Sequence, residues 1–127
     1  MFTKGVVCAA LLASSFNAIA ADWRQVPGTK PLTILIDQSS LSRSGDHVKY
    51  RARISWADAP PEIAAKVDYQ MVHADINCAE RSNATISVTQ YNKRHDSLGV
   101  KPGEPNKFVE IIPDSTGERV LEAVCKK

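Results

Sequence analysis

One run of nine residues alternates strictly between apolar and other side chains, and it limits the folds open to this chain. Its apolar members are Val48, Tyr50, Ala52, Ile54 and Trp56, and the residues between them are Lys49, Arg51, Arg53 and Ser55. Successive side chains of a β-strand point to opposite faces, so this period puts all the apolar residues on one side and all the cations on the other. The run therefore predicts a half-buried strand, with its apolar face inward and its cationic face outward.

Further strands are expected on both sides of this run. Short apolar or alternating segments bounded by turn residues predict strands at 22–26, 32–36, 68–76, 84–91 and 108–112. One helical turn is predicted at 62–66. The polar segment 92–106 contains Gly and Pro and is predicted to be a long loop.

A helix is predicted at the C-terminal end of the sequence. Ser115 and Glu118 have the spacing of a capping box, in which each side chain satisfies a backbone N–H at the helix start. One helical stripe is then formed by Val120, Leu121, Val124 and Cys125. The helix is expected to lay this stripe on the sheet.

The N-terminal stretch has the order of a secretory signal. Lys4 supplies a positive charge, an apolar run follows over 5–13, and Ala18-Ile19-Ala20 forms an A-x-A cleavage site. We therefore expect residues 1–20 to be a signal peptide, removed after Ala20; an uncut N-terminal anchor is the alternative. Cys8 stands at the start of the apolar run, where it suits a residue lost with the signal better than a lipid attachment site.

Two cysteines, Cys78 and Cys125, remain after the signal is removed. An even number of cysteines in an exported protein favours a disulfide, and two cysteines allow one pairing. Closing a loop of this length would contribute about 4 kcal/mol in the chain-entropy description. Two free buried thiols are the alternative.

These elements together predict an α+β fold. We expect a mostly antiparallel sheet of about five to six strands, with the C-terminal helix packed on one face and tied there by the disulfide. The other face would stay solvated or meet a partner.

Several classes of function find no support in the sequence. The formal charge of +2 falls to about +1 without Lys4, so the chain lacks the basic field of a nucleic-acid binder. There is no G-x-S-x-G, P-loop or G-x-G-x-x-G motif. His73 and Asp75 would share a strand face, but no third metal ligand is specified. We expect no enzyme activity, catalytic residue, cofactor or metal site, and no stable membrane insertion after cleavage.

The outward face of the alternating run is the candidate binding surface. It carries Lys49, Arg51 and Arg53, and Tyr69 and Tyr91 are candidates to add apolar area beside them. A cationic stripe of this kind suits an acidic protein, a glycan or anionic lipid headgroups. An ordinary solvated face is the alternative interpretation.

The order of landmarks along the chain resembles the surface-adhesin protein E family of Gram-negative bacteria, over 21–127. The landmarks are Trp23, 36–40, 48–56, Asn77-Cys78, Gln90-Tyr91, 108–115 and 121–125. The resemblance implies a sheet with a disulfide-tethered C-terminal helix, in a surface or periplasmic protein. It also implies an adhesin that binds host proteins and can pair with itself.

Two functions are consistent with these expectations. The first is an exported, non-catalytic envelope protein that contacts host or envelope proteins, or glycans, through the open side of its sheet. The second is a periplasmic structural or stress-related module that acts by self-association, as a homodimer for example. Both place the protein outside the cytoplasm, in the periplasm, secreted or at the cell surface.

Overall fold

A computed structural model describes residues 20–126. The predicted signal peptide, apart from Ala20, lies outside the described residues. The described chain forms, in order, β1 (Trp23–Gln25), β2 (Leu32–Asp37), a 3-10 turn (Gln38–Ser40), β3 (Ser42–Ser44), β4 (His47–Trp56), α1 (Pro61–Ala64), β5 (Tyr69–Asn77), β6 (Ser82–Tyr91), β7 (Ser97–Pro102), β8 (Val109–Glu110) and α2 (Thr116–Cys125).

The strands of this region form a single antiparallel sheet, and the predicted fold class is confirmed. The six main strands lie in the order β1-β2-β4-β5-β6-β7, while β3 pairs with β4 and β8 pairs with β6. One expectation was wrong, because the predicted loop 92–106 contains β7. All six residues of β7 are exposed, so burial imposes no alternation that sequence analysis could detect.

The alternating pattern of β4 decides which side of the sheet is buried. On one side of β4, Val48, Tyr50 and Ala52 lie opposite Ile76, Ala74 and Val72 of β5, in that order. On its other side, Ala52 and Ile54 lie opposite Ile36 and Ile34 of β2. Partners in an antiparallel pair share a face, so these residues form one continuous apolar surface. The buried core consists of Val26, Ile34, Ile36, Val48, Tyr50, Ala52, Ala74, Ile76, Ile111, Val120, Leu121 and Val124.

Helix α2 covers this apolar surface with the predicted stripe. The Ser115 side chain accepts a hydrogen bond from the Glu118 N–H at 3.3 Å, as the capping spacing predicts. The Glu118 carboxylate accepts from the Asp114 N–H instead of from Ser115, so the reciprocal bond is displaced by one residue. Val120, Leu121 and Val124 of α2 are buried.

Two contacts fix the end of α2. Cys78 and Cys125 form a disulfide with a Cα–Cα distance of 5.8 Å, so this predicted pairing is confirmed. The Arg43 guanidinium on β3 donates to the carbonyls of Val124 at 2.9 Å and Lys126 at 2.8 Å. These carbonyls have no partner within the helix, so Arg43 caps its C-terminus from the sheet.

Helix α2 does not fill the whole apolar side. A half-open cavity of about 550 Å³ lies between the sheet and residues 104–117. Ile34, Ile54 and Ile76 of the sheet line it, together with Ile111 and Val120. It lies on the side of the sheet opposite the cationic residues of β4.

Candidate ligand-binding face

The candidate binding residues meet on the side of the sheet that α2 leaves uncovered, which we call the open face. Lys49, Arg51 and Arg53 occupy alternate positions of β4, and their partners across β5 are Asp75, His73 and Met71. Met71 in turn lies opposite Thr89 of β6, and Tyr69 opposite Tyr91. The structure therefore brings all five residues predicted for the binding surface, Lys49, Arg51, Arg53, Tyr69 and Tyr91, onto one face of three adjacent strands.

Three of these residues form a stack that crosses the strands. The Arg53 guanidinium carbon lies 3.9 Å from the centre of the Tyr69 ring, within the range of a cation–π contact. The Tyr69 and Tyr91 rings are stacked, 5.0 Å apart with 9° between their planes. Tyr69 is only 7% exposed because it lies between the other two. The stack holds Arg53 in place and leaves the edge of its planar guanidinium able to donate hydrogen bonds.

A loop residue fixes the central ring of the stack. The Tyr69 hydroxyl lies 3.1 Å from Nδ1 of His95, in the turn between β6 and β7. His95 has a φ of 63°, a left-handed conformation that few non-glycine residues adopt. The contact ties this turn to the open face.

Arg51 is anchored by a carboxylate, Asp37, that the sequence patterns did not single out. The Arg51 guanidinium donates to Asp37 Oδ2 at 2.8 Å, and the Asp37 side chain is completely buried. Asp37 also accepts from the Ser39 N–H, the Ser39 hydroxyl and the Asp22 N–H. The spacing of Asp37 and Ser39 was a usable signal, because Asp often accepts from the backbone N–H two residues later.

These hydrogen bonds control the charge of Asp37. Burial on its own would raise the pKa of a carboxyl group. Hydrogen bonds from Ser39 and Arg51, and from the backbone of Asp22 and Ser39, outweigh burial and lower the pKa of Asp37 to about 2. Asp37 is therefore an anion at neutral pH, and it holds one cation of the open face in position.

A shallow groove of about 430 Å³ runs beside the stack. It is lined by Ser40, Arg51, Met71, His73, Ser87, Thr89 and Tyr91. Hydroxyl, imidazole and guanidinium groups thus alternate with the apolar surface of Met71 and the Tyr91 ring. A surface of this composition can donate and accept hydrogen bonds while a flat apolar group rests on the ring.

Lys49 and Arg53 are the cations of β4 without an ion pair to any carboxylate of residues 20–126. Asp75, which shares the face, is paired with His47 instead, with 3.1 Å between its Oδ1 and Nδ1 of His47. Asp37 is paired with Arg51. Positive charge is therefore accessible on the open face, and both of these carboxylates are already paired.

His73 and Asp75 lie on the open face, as the strand pattern predicts. Within residues 20–126 the structure contains no cluster of three or more potential metal-ligating side chains. Over the same residues it has no helix long and apolar enough to cross a membrane.

The sheet, its disulfide-tethered C-terminal helix and the uncovered cationic face define a class of small sheet proteins in which a helix covers one broad side and the other side is accessible. Comparison with protein families identifies which class this is. The surface-adhesin protein E family matches residues 23–126, nearly all of the described chain, and the chain belongs to this family. Comparisons with curated proteins and with solved structures gave no significant match. Family membership makes the chain an adhesin-like surface protein, and the disulfide is consistent with export.

Proposed function

We propose that this protein is exported through a cleaved signal at residues 1–20 and acts as a non-catalytic binding protein of the cell envelope. Its contact surface is the open face, and its partners are host or envelope proteins, or glycans. The observation that carries the proposal is that Lys49, Arg53 and the two stacked tyrosines share one rigid, uncovered face. Family membership supports the adhesive role.

The rigidity of the face is favourable for binding. The residues come from the central strands β4, β5 and β6, and the stack and the Asp37 bond restrict the two arginines. Side chains that are ordered before binding lose less conformational entropy in the complex. A partner that binds the open face therefore causes a smaller loss of side-chain entropy, which favours its affinity.

A matched pair of variants tests the assignment of the face. Lys49→Ala with Arg53→Gln removes two open-face cations, while Arg24→Gln with Lys101→Ala removes two exposed cations from the opposite face of the same sheet. Beads carrying the processed protein are presented to host-cell monolayers. Weaker attachment of the open-face variant alone supports the proposal, and equal attachment of all three proteins overturns the face assignment.

Protease treatment of intact native cells tests the location. Cleavage of the protein on intact cells supports display at the surface. Protection until the outer membrane is opened contradicts an adhesive role and leaves the periplasmic alternative.

Self-association is the alternative function, and one observation favours it. Strand β7 forms an edge of the sheet, and its Leu98 and Val100 are 48% and 64% exposed. An exposed apolar edge strand can pair with another chain. Light scattering over a range of concentrations tests this alternative, and a strict monomer at every concentration contradicts it.

A further inference from the structure

We infer that the open face takes a linear polysaccharide bearing acidic groups, with the acid groups on the β4 cations and a sugar ring in the groove beside the Arg53–Tyr69–Tyr91 stack. The inference deepens the proposed function and rests on it, because it names the ligand class of the same face. Three features carry it: the spacing of the cations, the pairing of nearby carboxylates and the composition of the groove.

The cations form a straight row. Lys49, Arg51 and Arg53 occupy every second position of one strand, so the row spans about 13 Å at the rise of a β-strand. A single acidic group would use one end of such a row. An extended chain with repeated acidic groups can meet all three cations, and this spacing therefore favours a polyanion.

Two of the three cations in the row, Lys49 and Arg53, have no ion pair to a carboxylate of residues 20–126, whereas Asp37 neutralises the charge of Arg51. Asp37 is buried beneath Arg51, and Asp75 is paired with His47. Arg51 keeps donors for a ligand because a guanidinium carries five N–H groups and Asp37 accepts one hydrogen bond from it. Glu110 also falls on this face by its strand register. It lies opposite Ser82, however, at the end of β6 that is far from Tyr91.

The groove has the composition of a sugar site. Ser87 and Thr89 offer hydroxyl groups, His73 offers an imidazole, and Tyr91 offers the outer ring of the stack. The Ser40 hydroxyl is already engaged, because it donates to the Asp37 carbonyl and accepts from the Arg51 N–H. Sugar hydroxyls need donors and acceptors close together, and the apolar face of a sugar ring needs a flat surface. At about 430 Å³ the groove falls within the usual size range of ligand sites.

Other anionic partners fit these features less well. An acidic protein surface normally gains its affinity from a large side chain inserted in a dry apolar pocket. The groove is shallow, and its apolar groups, Met71 and the Tyr91 ring, lie among hydroxyl, imidazole and guanidinium groups, so it offers such an anchor no dry apolar pocket. A membrane surface is broad and flat and would make little use of a groove between strands. The described geometry therefore favours the polysaccharide.

The test uses heparin oligosaccharide as the probe, with the processed protein at about 150 mM salt, where distant charges are screened. Removing two contacting cations is expected to weaken heparin affinity by about tenfold. The open-face variant, Lys49→Ala with Arg53→Gln, should show this loss. The opposite-face variant, Arg24→Gln with Lys101→Ala, should bind heparin as the unmodified protein does.

Two further variants test the groove without changing the charge. Tyr91→Ala removes the outer ring, and Thr89→Val removes a hydroxyl group while conserving shape. Both are expected to weaken heparin binding, and circular dichroism confirms that each variant is folded. Unchanged affinity in both folded variants overturns the sugar site and reduces the interaction to charge alone.

Three further results contradict the inference. These are equal loss of affinity in the open-face and opposite-face variants, equal binding of heparin and polyglutamate, and binding to vesicles of anionic phospholipid but not to heparin.

The inference and the proposed function fail separately. If heparin does not bind but bead attachment to monolayers still depends on the open face, the ligand class is wrong and the binding face stands. If heparin binds but the beads do not attach, the adhesive function is wrong.

Discussion

The guanidinium of Arg51 lies 2.8 Å from Oδ2 of Asp37, an aspartate with no solvent exposure. Arg51 therefore links the surface that faces solvent to a buried charge at the end of β2. Its neighbours in the cationic row have no such partner among residues 20–126. Arg51 is a structural residue as well as a candidate binding residue, and the two roles can be separated by experiment.

Replacing Arg51 should destabilise the fold. In Arg51→Ala the Asp37 carboxylate stays buried without its cation, and we expect the free energy of unfolding to fall by about 1–3 kcal/mol. Lys49→Ala on the same strand should change it by less than about 0.5 kcal/mol. Urea unfolding of both variants measures the difference. Equal midpoints would show that the Asp37–Arg51 pair adds nothing to stability.

The same carboxylate should make the fold sensitive to acid. The pKa of Asp37 is lowered to about 2 in the folded protein from an ordinary value of 3.8. The stability that it contributes is therefore complete above about pH 4 and is lost as the pH falls to about 2. Glu118 acts in the same direction, because the Asp114 N–H and Arg81 lower its pKa.

Comparison with Asp37→Asn isolates the effect of Asp37. Urea unfolding at several pH values should show a smaller loss of stability between pH 4 and pH 2 in Asp37→Asn than in the unmodified protein. Parallel curves for the two proteins would mean that other carboxylates account for the acid sensitivity.

Arg43 should be needed for an ordered end of α2. Arg43→Ala removes the two hydrogen bonds to the Val124 and Lys126 carbonyls, each from a charged donor, and we expect a cost of about 1.5–3 kcal/mol. Hydrogen exchange should become faster in the last turn of α2. Ser42→Ala, next to it on β3 and directed to the other face, serves as the control and should leave this exchange unchanged.

Reduction of the disulfide should have the largest effect on stability. Cys78 and Cys125 are 47 residues apart, and loss of a native disulfide from a small domain typically costs 2–5 kcal/mol. A reductant should shift the urea midpoint of the unmodified protein and leave Cys78→Ser with Cys125→Ser unaffected. Two freely reactive thiols in processed, denatured, unreduced protein would contradict the cross-link.

The sequence was most informative where burial imposes a period on it. The alternation of β4 identified both the covered side and the open face, and the Ser115 cap with the Val120–Leu121–Val124 stripe identified α2. Strand β7 was missed because its six exposed residues are free to vary without regard to period. Strand β3 was missed for the same reason, since its three residues are all exposed.

Contacts between distant residues were beyond the reach of sequence patterns. The alternation placed Arg51 and Arg53 on one face, but their partners are an aspartate 14 positions earlier and a tyrosine on the next strand. A pattern within one strand states which way a side chain points. It does not state which side chain arrives from elsewhere in the chain to meet it.

The position of the cross-link has a mechanical consequence. A pulling force applied between Trp23 and Lys126 enters at β1 and passes from Cys78 directly to Cys125, so residues 79–124 lie off the covalent path of the load. Strands β1 to β5 are stretched, while β6, β7 and most of α2 sit inside a covalent ring that cannot be extended from its ends. Tyr91 and the outer side of the groove lie within this shielded part, whereas the cationic row of β4 lies on the load-bearing path.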